Sequence, residues 1–285
     1  MSGTLSSRKV DKAVTPVITI MQRLHEDDVS GFLLSKKKKG VKHICLPARL
    51  SESVSPSVLA NNYINGLLDP NRLSEDILTE SKADLGSLQF AGQFQQEPAP
   101  MDGYLIKAEW FPLFRPTAEL ISLPRYFDSD TAYGKEQSDN SATICYSVKD
   151  GTIYVWNVWL AKLPFNEFIP AYKDHLDLFR YTEESKIYIE PKASGTDIIQ
   201  VLSSEGLNVK ASESPKDNKM TRLQAALPKI ETGHVKLLAN QSWIEPFLAE
   251  LMQFPVGKND DQVDVLSSIV RRHLIQQSKW TYISN

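Results

Sequence analysis

The chain has 285 residues, of which 41% are hydrophobic and 24% charged, and a formal net charge of −3. That composition supports a packed core and excludes wholesale disorder. The slightly acidic balance excludes nucleic-acid binding driven by the net field, though not by a few placed Lys and Arg residues. No run approaches the ~18 apolar residues of a membrane span, and the N-terminus has no apolar signal core.

Residues 1–13 are polar. VTPVITIM (14–21) is a β-branched run that predicts a buried strand. HEDDVSGFLL (25–34) predicts a turn entering a helix, KKKKG (36–40) a charged loop, and HICLPA (43–48) a second strand. These elements do not complete a domain; they read as the edge of a sheet whose other strands are missing. LLDPNRLSEDILTESKADLGSLQFAGQFQQEPAP (67–100) predicts one or two helices, with starts at Asp69-Pro70 and Ser74 and stops at Pro98 and Pro100. The domain boundary is expected near 100–118.

From about residue 120 the pattern becomes regular. LPRYFDSD (123–130), SATICYSV (141–148) and TIYVWNVWL (152–160) predict three strands, the last two joined by a tight turn at Lys149-Asp150-Gly151. PFNEFIPAYKDHLDLFRY (164–181) predicts an amphipathic helix and KIYIE (186–190) a fourth strand. A helix over 196–206, with Thr196 as cap and Gly206 as stop, precedes a strand at 207–212. A helix at 219–230, a strand at 234–238 and helices at 243–254 and 261–277 complete the chain. The order is a three-strand meander followed by alternating helices and strands. It predicts an α/β fold with an RNase H-like mixed sheet.

Three acids stand out by position. Asp130 closes the first strand of the meander, Glu190 closes the fourth strand, and Asp261 opens the last helix. If the first and fourth strands are neighbours, their C-terminal ends lie together. Carboxylates converging there would repel each other without a cation. Hard divalent ions such as Mg2+ or Mn2+ resolve that repulsion. Two such ions ~3.5–4 Å apart serve phosphoryl transfer. Taken singly, an Asp at a strand end is a turn residue and an Asp at a helix start an N-cap. Further acids crowd the same places. Asp128 shares a strand face with Asp130, Asp264 shares a helix face with Asp261, and either pair leaves the ligand choice open. Asp139 and Asp260 are supporting residues.

Lys192, Lys216, Lys219 and Arg222 surround these positions and are candidate contacts to a nucleic-acid backbone. The lysines of 36–39 read as a solvated loop, and Arg271 and Arg272 as surface charges. Cys45 and Cys145, a hundred positions apart, exclude a Cys-x-x-Cys zinc site and read as buried thiols of a reducing compartment. The five histidines lack metal spacing. Trp156 and Trp159 are expected on opposite strand faces, at least one in the core, and Trp243 and Phe247 to pack at i, i+4.

The sequence resembles the large terminase subunit of tailed bacteriophages. FDSDTAYGKEQSDNSA (127–142), IYIEPKASGTDIIQVL (187–202) and FPVGKNDDQVDVLSSIV (254–270) look like the family's three nuclease motifs. VITIMQRLHEDDVSGFLL (17–34) is similar to the last core segment of its ATPase domain, and FAGQFQQEPAPMDGYLIKAEWF (90–111) to its connector. The resemblance implies residues 1–50 as an ATPase remnant, 51–118 as a helical connector and 119–285 as an RNase H-like nuclease. It implies cleavage of double-stranded viral DNA concatemers, with Asp130, Glu190 and Asp261 as ligands of two Mg2+ or Mn2+ ions and Asp264 as the alternative third. Portal protein, the small terminase subunit and the rest of the large subunit would be partners in the host cytoplasm, without lasting incorporation into the virion. Two features depart from the family. No G-x-x-x-x-G-K-[ST] loop occurs, so no autonomous ATPase is expected. Asn259 also stands where some relatives carry His. A junction resolvase or recombinase, or a non-catalytic module docking to DNA or portal, are the competing readings.

Overall fold

The computed structural model describes residues 14–35, 41–98, 105–131, 141–192, 194–212 and 217–275. Lys36–Lys39, Asp139 and Lys216 lie outside them. The chain divides into two compact units, Met1–Lys82 with Ser87–Pro100, and Ala83–Gly86 with Met101–Asn285.

In the first unit, helix α1 (Val29–Ser35) starts where the Asp28 carboxylate accepts the Gly31 N–H at 2.8 Å and pairs with Arg23. Helix α2 (Glu75–Gln93) is capped at Ser74, as its sequence predicts, and is broken at Gly86, whose φ of 76° few other residues tolerate. Ala48, Leu67, Leu78 and Phe90 form a small core. The two strands expected here are absent. Residues 14–21 adopt no strand, with Ile18 80% and Ile20 93% exposed, and Cys45 makes only an isolated bridge to Ser55. A β-branched run becomes a strand only where another backbone edge takes its N–H and C=O groups, and no described strand pairs with 14–21.

The second unit is built on a seven-stranded sheet. Its strands are β1 (Leu113–Phe114), β2 (Tyr126–Asp130), β3 (Ser141–Lys149), β4 (Thr152–Ala161), β5 (Lys186–Ile189), β6 (Val209–Ala211) and β7 (Val235–Leu238). Strands β2, β3 and β4 form the predicted antiparallel meander. Asp150 and Gly151, both at positive φ, form the two-residue turn between β3 and β4. Strand β5 adds parallel to β2, β6 to β5, β7 to β4 and β1 to β7, giving the order β1-β7-β4-β3-β2-β5-β6. This is an RNase H-like α/β sheet flanked by helices.

The two sheet faces differ. On one, Phe127, Cys145, Ile187 and Ile189 pack against Phe168, Tyr172 and Leu176 of α4 (Phe165–Leu178) and Ile198 and Leu202 of α5 (Ser194–Ser204). Strand alternation turns Asp128, Asp130 and Tyr188 to the opposite face. There α8 (Asp261–Val270), nearly all of it buried, lies on β2 and β3 and against α6 (Lys219–Glu231). Helix α3 (Ala118–Ser122) precedes β2, and α7 (Ile244–Gln253) precedes α8 and holds Phe247 edge-on to Trp243.

Three local expectations change. The β3–β4 register slips at Cys145/Tyr146, leaving Trp156 as an extra residue on β4. That bulge reverses the alternation, so Trp156 and Trp159 join the same core instead of facing apart. Helix α5 begins at Ser194, so Thr196 lies inside it rather than capping it. The last helix gives way at Arg271–Ile275 to a π turn. Cys45 and Cys145 are both buried. Among the described residues no helix is long and apolar enough to cross a membrane.

Candidate active site

The parallel pairing of β2 with β5 decides where the acids meet. Ser129 is level with Ile189, so Asp130, the last residue of β2, and Glu190, the first beyond β5, lie side by side. The Glu190 N–H still donates to the Ser129 carbonyl at 3.4 Å. Helix α8 brings Asp264 over the same edge. Asp128, Ser129, Asp130, Glu190, Ser212, Arg222, Asp264, Val265 and Ser268 line one cavity. Asp261 opens α8 and is not among these lining residues.

The acids feel one another. Burial, then the charges of Glu190 and Asp264, push the Asp130 carboxyl up to about 6, and Lys219 and Lys192 offset part of this. Burial likewise takes Asp128 to about 6 against the opposing pull of Arg272. Asp264 is also raised by burial, with Lys219 and Arg222 acting the other way. Among the described residues no group of three or more His, Cys, Asp or Glu side chains stands ready-arranged to hold a metal ion. Basic side chains lie between them instead. Arg222 donates to Asp264 Oδ1 at 2.6 Å, and Lys219 bridges Asp264 Oδ2 at 2.8 Å and Asp260 Oδ1 at 2.7 Å. Lys192 Nζ pairs with Glu190 Oε1, a buried oxygen that has no other partner among the described residues.

Two further features support this edge. Gly195, in the first turn of α5, passes so close to β5 that a Cβ there would lie 1.9 Å from the Glu190 carbonyl oxygen. Beneath Asp130, on the opposite face, the Ser129 hydroxyl hydrogen-bonds to Thr143 and to Tyr172, each at 2.9 Å.

Arg272 is not the surface charge expected from the sequence. Its guanidinium pairs with Asp128, donates to Ser212 Oγ at 3.1 Å and Ser268 Oγ at 3.3 Å, and lies 3.9 Å from the Tyr188 ring centroid. A usable signal was present. Asp264, Ser268 and Arg272 recur every fourth residue, which places them on one helical face.

No family model and no curated protein matches the chain. Solved structures do. The large terminase from a thermophilic bacteriophage is 12% identical with a TM-score of 0.54, over 72% of this chain and 54% of that one. The same phage protein in complex with ADP is 13% identical with a TM-score of 0.53, over 72% and 53%. The likeness is one of fold, and the chain spans about half the length of these large terminase structures.

Proposed function

We propose that the chain is the nuclease portion of a large terminase, hydrolysing phosphodiesters of double-stranded viral DNA during genome packaging. One observation carries the reading. Three carboxylates from distant parts of the chain, Asp130, Glu190 and Asp264, face one cavity at the edge of an RNase H-like sheet. Proteins do not keep such acids together for stability, because their mutual repulsion opposes folding.

The residues fit a hard divalent cation. Their donors are oxygens, Asp130 has no ion pair among the described residues, and its carboxyl is under repulsion that a cation relieves. Asp130, Glu190 and Asp264 would hold Mg2+ or Mn2+, with Asp264 in the place the sequence assigned to Asp261. Such an ion, or a pair, supplies Lewis acidity toward the scissile phosphate and the attacking water. Lys219 is 44% exposed and Lys192 62%, so both can turn from their carboxylates toward phosphate oxygens. Arg222 fixes one oxygen of Asp264 and leaves the other directed at Lys219. The nucleophile is water; no side chain of the site is needed for that role. Portal protein, the small terminase subunit and an ATPase portion in the host cytoplasm would complete the motor.

The test is nicking of supercoiled plasmid with Mg2+ or Mn2+ against EDTA. Asp130→Asn and Glu190→Gln, checked for folding by circular dichroism, should each lower the rate by about 10²-fold or more, the scale for losing a group that stabilises transition-state charge. Unchanged cleavage in both overturns the assignment. A docking module without catalysis is favoured by the basic partners already on Glu190 and Asp264; it predicts no metal-dependent nicking by the unaltered chain.

A further inference from the structure

We infer that Arg272 is a positioning residue that withholds Asp128 from cation binding, leaving Asp130, Glu190 and Asp264 as the holding set. This rests on the nuclease reading above. Four carboxylates face the cavity, and nothing in their chemistry separates them. Their partners do. Asp128 is 3% exposed, and Arg272 is held on four sides, by Asp128 on β2, Tyr188 on β5, Ser212 beyond β6 and Ser268 on α8. A guanidinium engaged by its hydrogen bonds and its flat face at once has no free rotamer into which to withdraw. Asp130 has no ion pair among the described residues. Glu190 and the second oxygen of Asp264 meet only part-exposed lysines, which can swing aside. The pairing therefore sorts one carboxylate out of four, and it ties the turn after α8 to β2.

The experiment is Mn2+ titration of the DNA-free protein, read from the electron paramagnetic resonance signal of free Mn2+. Asp128→Asn should still bind Mn2+, weaker by no more than about tenfold, because it removes no ligand and only leaves the Arg272 charge without its counter-charge. Arg272→Met removes one positive charge and releases Asp128, and should tighten Mn2+ binding by about tenfold. The double variant should return to the original affinity, and Arg272→Lys should lie between. Loss of Mn2+ binding in Asp128→Asn, or weaker binding in Arg272→Met that the double variant does not restore, overturns the inference while the nuclease reading stands. An unaltered chain that binds no Mn2+ removes both. If Arg272→Met does not fold, the Asp128→Asn result decides alone.

Discussion

Replacing Asp130 with Asn should make the metal-free protein more stable, and by an amount that depends on pH. The folded structure raises this carboxyl from 3.8 to about 6, through burial first and then Glu190 and Asp264. A folded-state value above the unfolded one means that the folded chain binds the proton more tightly. Below pH 3.8 both states are protonated and nothing is lost. As pH climbs from 3.8 to about 6 the unfolded chain ionises first and stability falls; above 6 the penalty is complete. At about 1.4 kcal/mol per tenfold in proton affinity, that interval is worth about 3 kcal/mol at pH 7 and under about 1 kcal/mol at pH 4. Asp130 is only partly buried, so solvent screening brings the expected value to about 1–3 kcal/mol. Asparagine has the same shape and cannot ionise. Urea unfolding in EDTA should therefore show Asp130→Asn gaining about 1–3 kcal/mol over the unaltered chain at pH 7, with the gain fading toward pH 4. Added Mn2+ should stabilise the unaltered chain and narrow the gap, because a ligand of the folded state alone shifts unfolding by mass action. A variant that is less stable at pH 7, or a gain that is the same at every pH, would show that no repulsion is stored at this edge.

Other perturbations probe the supports. Gly195→Ala forces a methyl against the Glu190 carbonyl, so the plasmid-nicking rate should fall by about 10²-fold, the usual result of a displacement near 1 Å at a reacting site. Lys219→Ala should weaken duplex binding and reduce the slope of log affinity against log salt by about 1, measured by fluorescence anisotropy. Arg125 is 4% exposed, donates to the Leu123 carbonyl at 2.7 Å and Ser147 Oγ at 2.9 Å, and covers Trp156 at 4.0 Å. Arg125→Met should cost about 2–3 kcal/mol in urea unfolding, because it removes the charge-assisted bonds to the Leu123 carbonyl and to Ser147 Oγ, although Ser147 keeps its bonds to Trp156 Nε1 and the Pro124 carbonyl.

The sheet of the second unit was readable because its strands carry their own evidence. Alternation in TIYVWNVWL and the Asp-Gly turn specify a hairpin locally, and a strand-ending Glu followed by a helix specifies a crossover. The N-terminal run 14–21 has equal β propensity and formed no strand, because pairing is a property of two edges and the sequence displays one. The bulge on β4 was hidden for a related reason. Nothing in Val155-Trp156-Asn157 marks an extra residue; the slip exists only relative to β3. Arg272 was missed because two adjacent arginines late in a helix have the composition of a solvated surface, and the partners of Arg272 come from positions 128, 188, 212 and 268.

The choice between Asp261 and Asp264 shows where residue-type reasoning stops and helix geometry takes over. The sequence draws attention to Asp261 because it opens the last helix, a position where a single acid is otherwise read as an N-cap. Side chains on a helix, however, lean toward its N-terminus, so the ground just outside the first turn is covered by residues one turn further in. Asp264 is that residue on α8, and its carboxylate reaches the cavity beside Asp130 and Glu190. Asp260 meanwhile holds Lys219 from the rim. The division also explains why Asp264 is buried and Asp260 is not. The Asp260 side chain makes no capping bond and stays at the rim with Lys219, whereas Asp264 is held between Arg222 and Lys219. If so, Asp261→Asn should leave Mn2+ affinity and nicking close to those of the unaltered chain, and Asp264→Asn should abolish both; the reverse result would return the third position to Asp261 and require the start of α8 to turn toward the sheet.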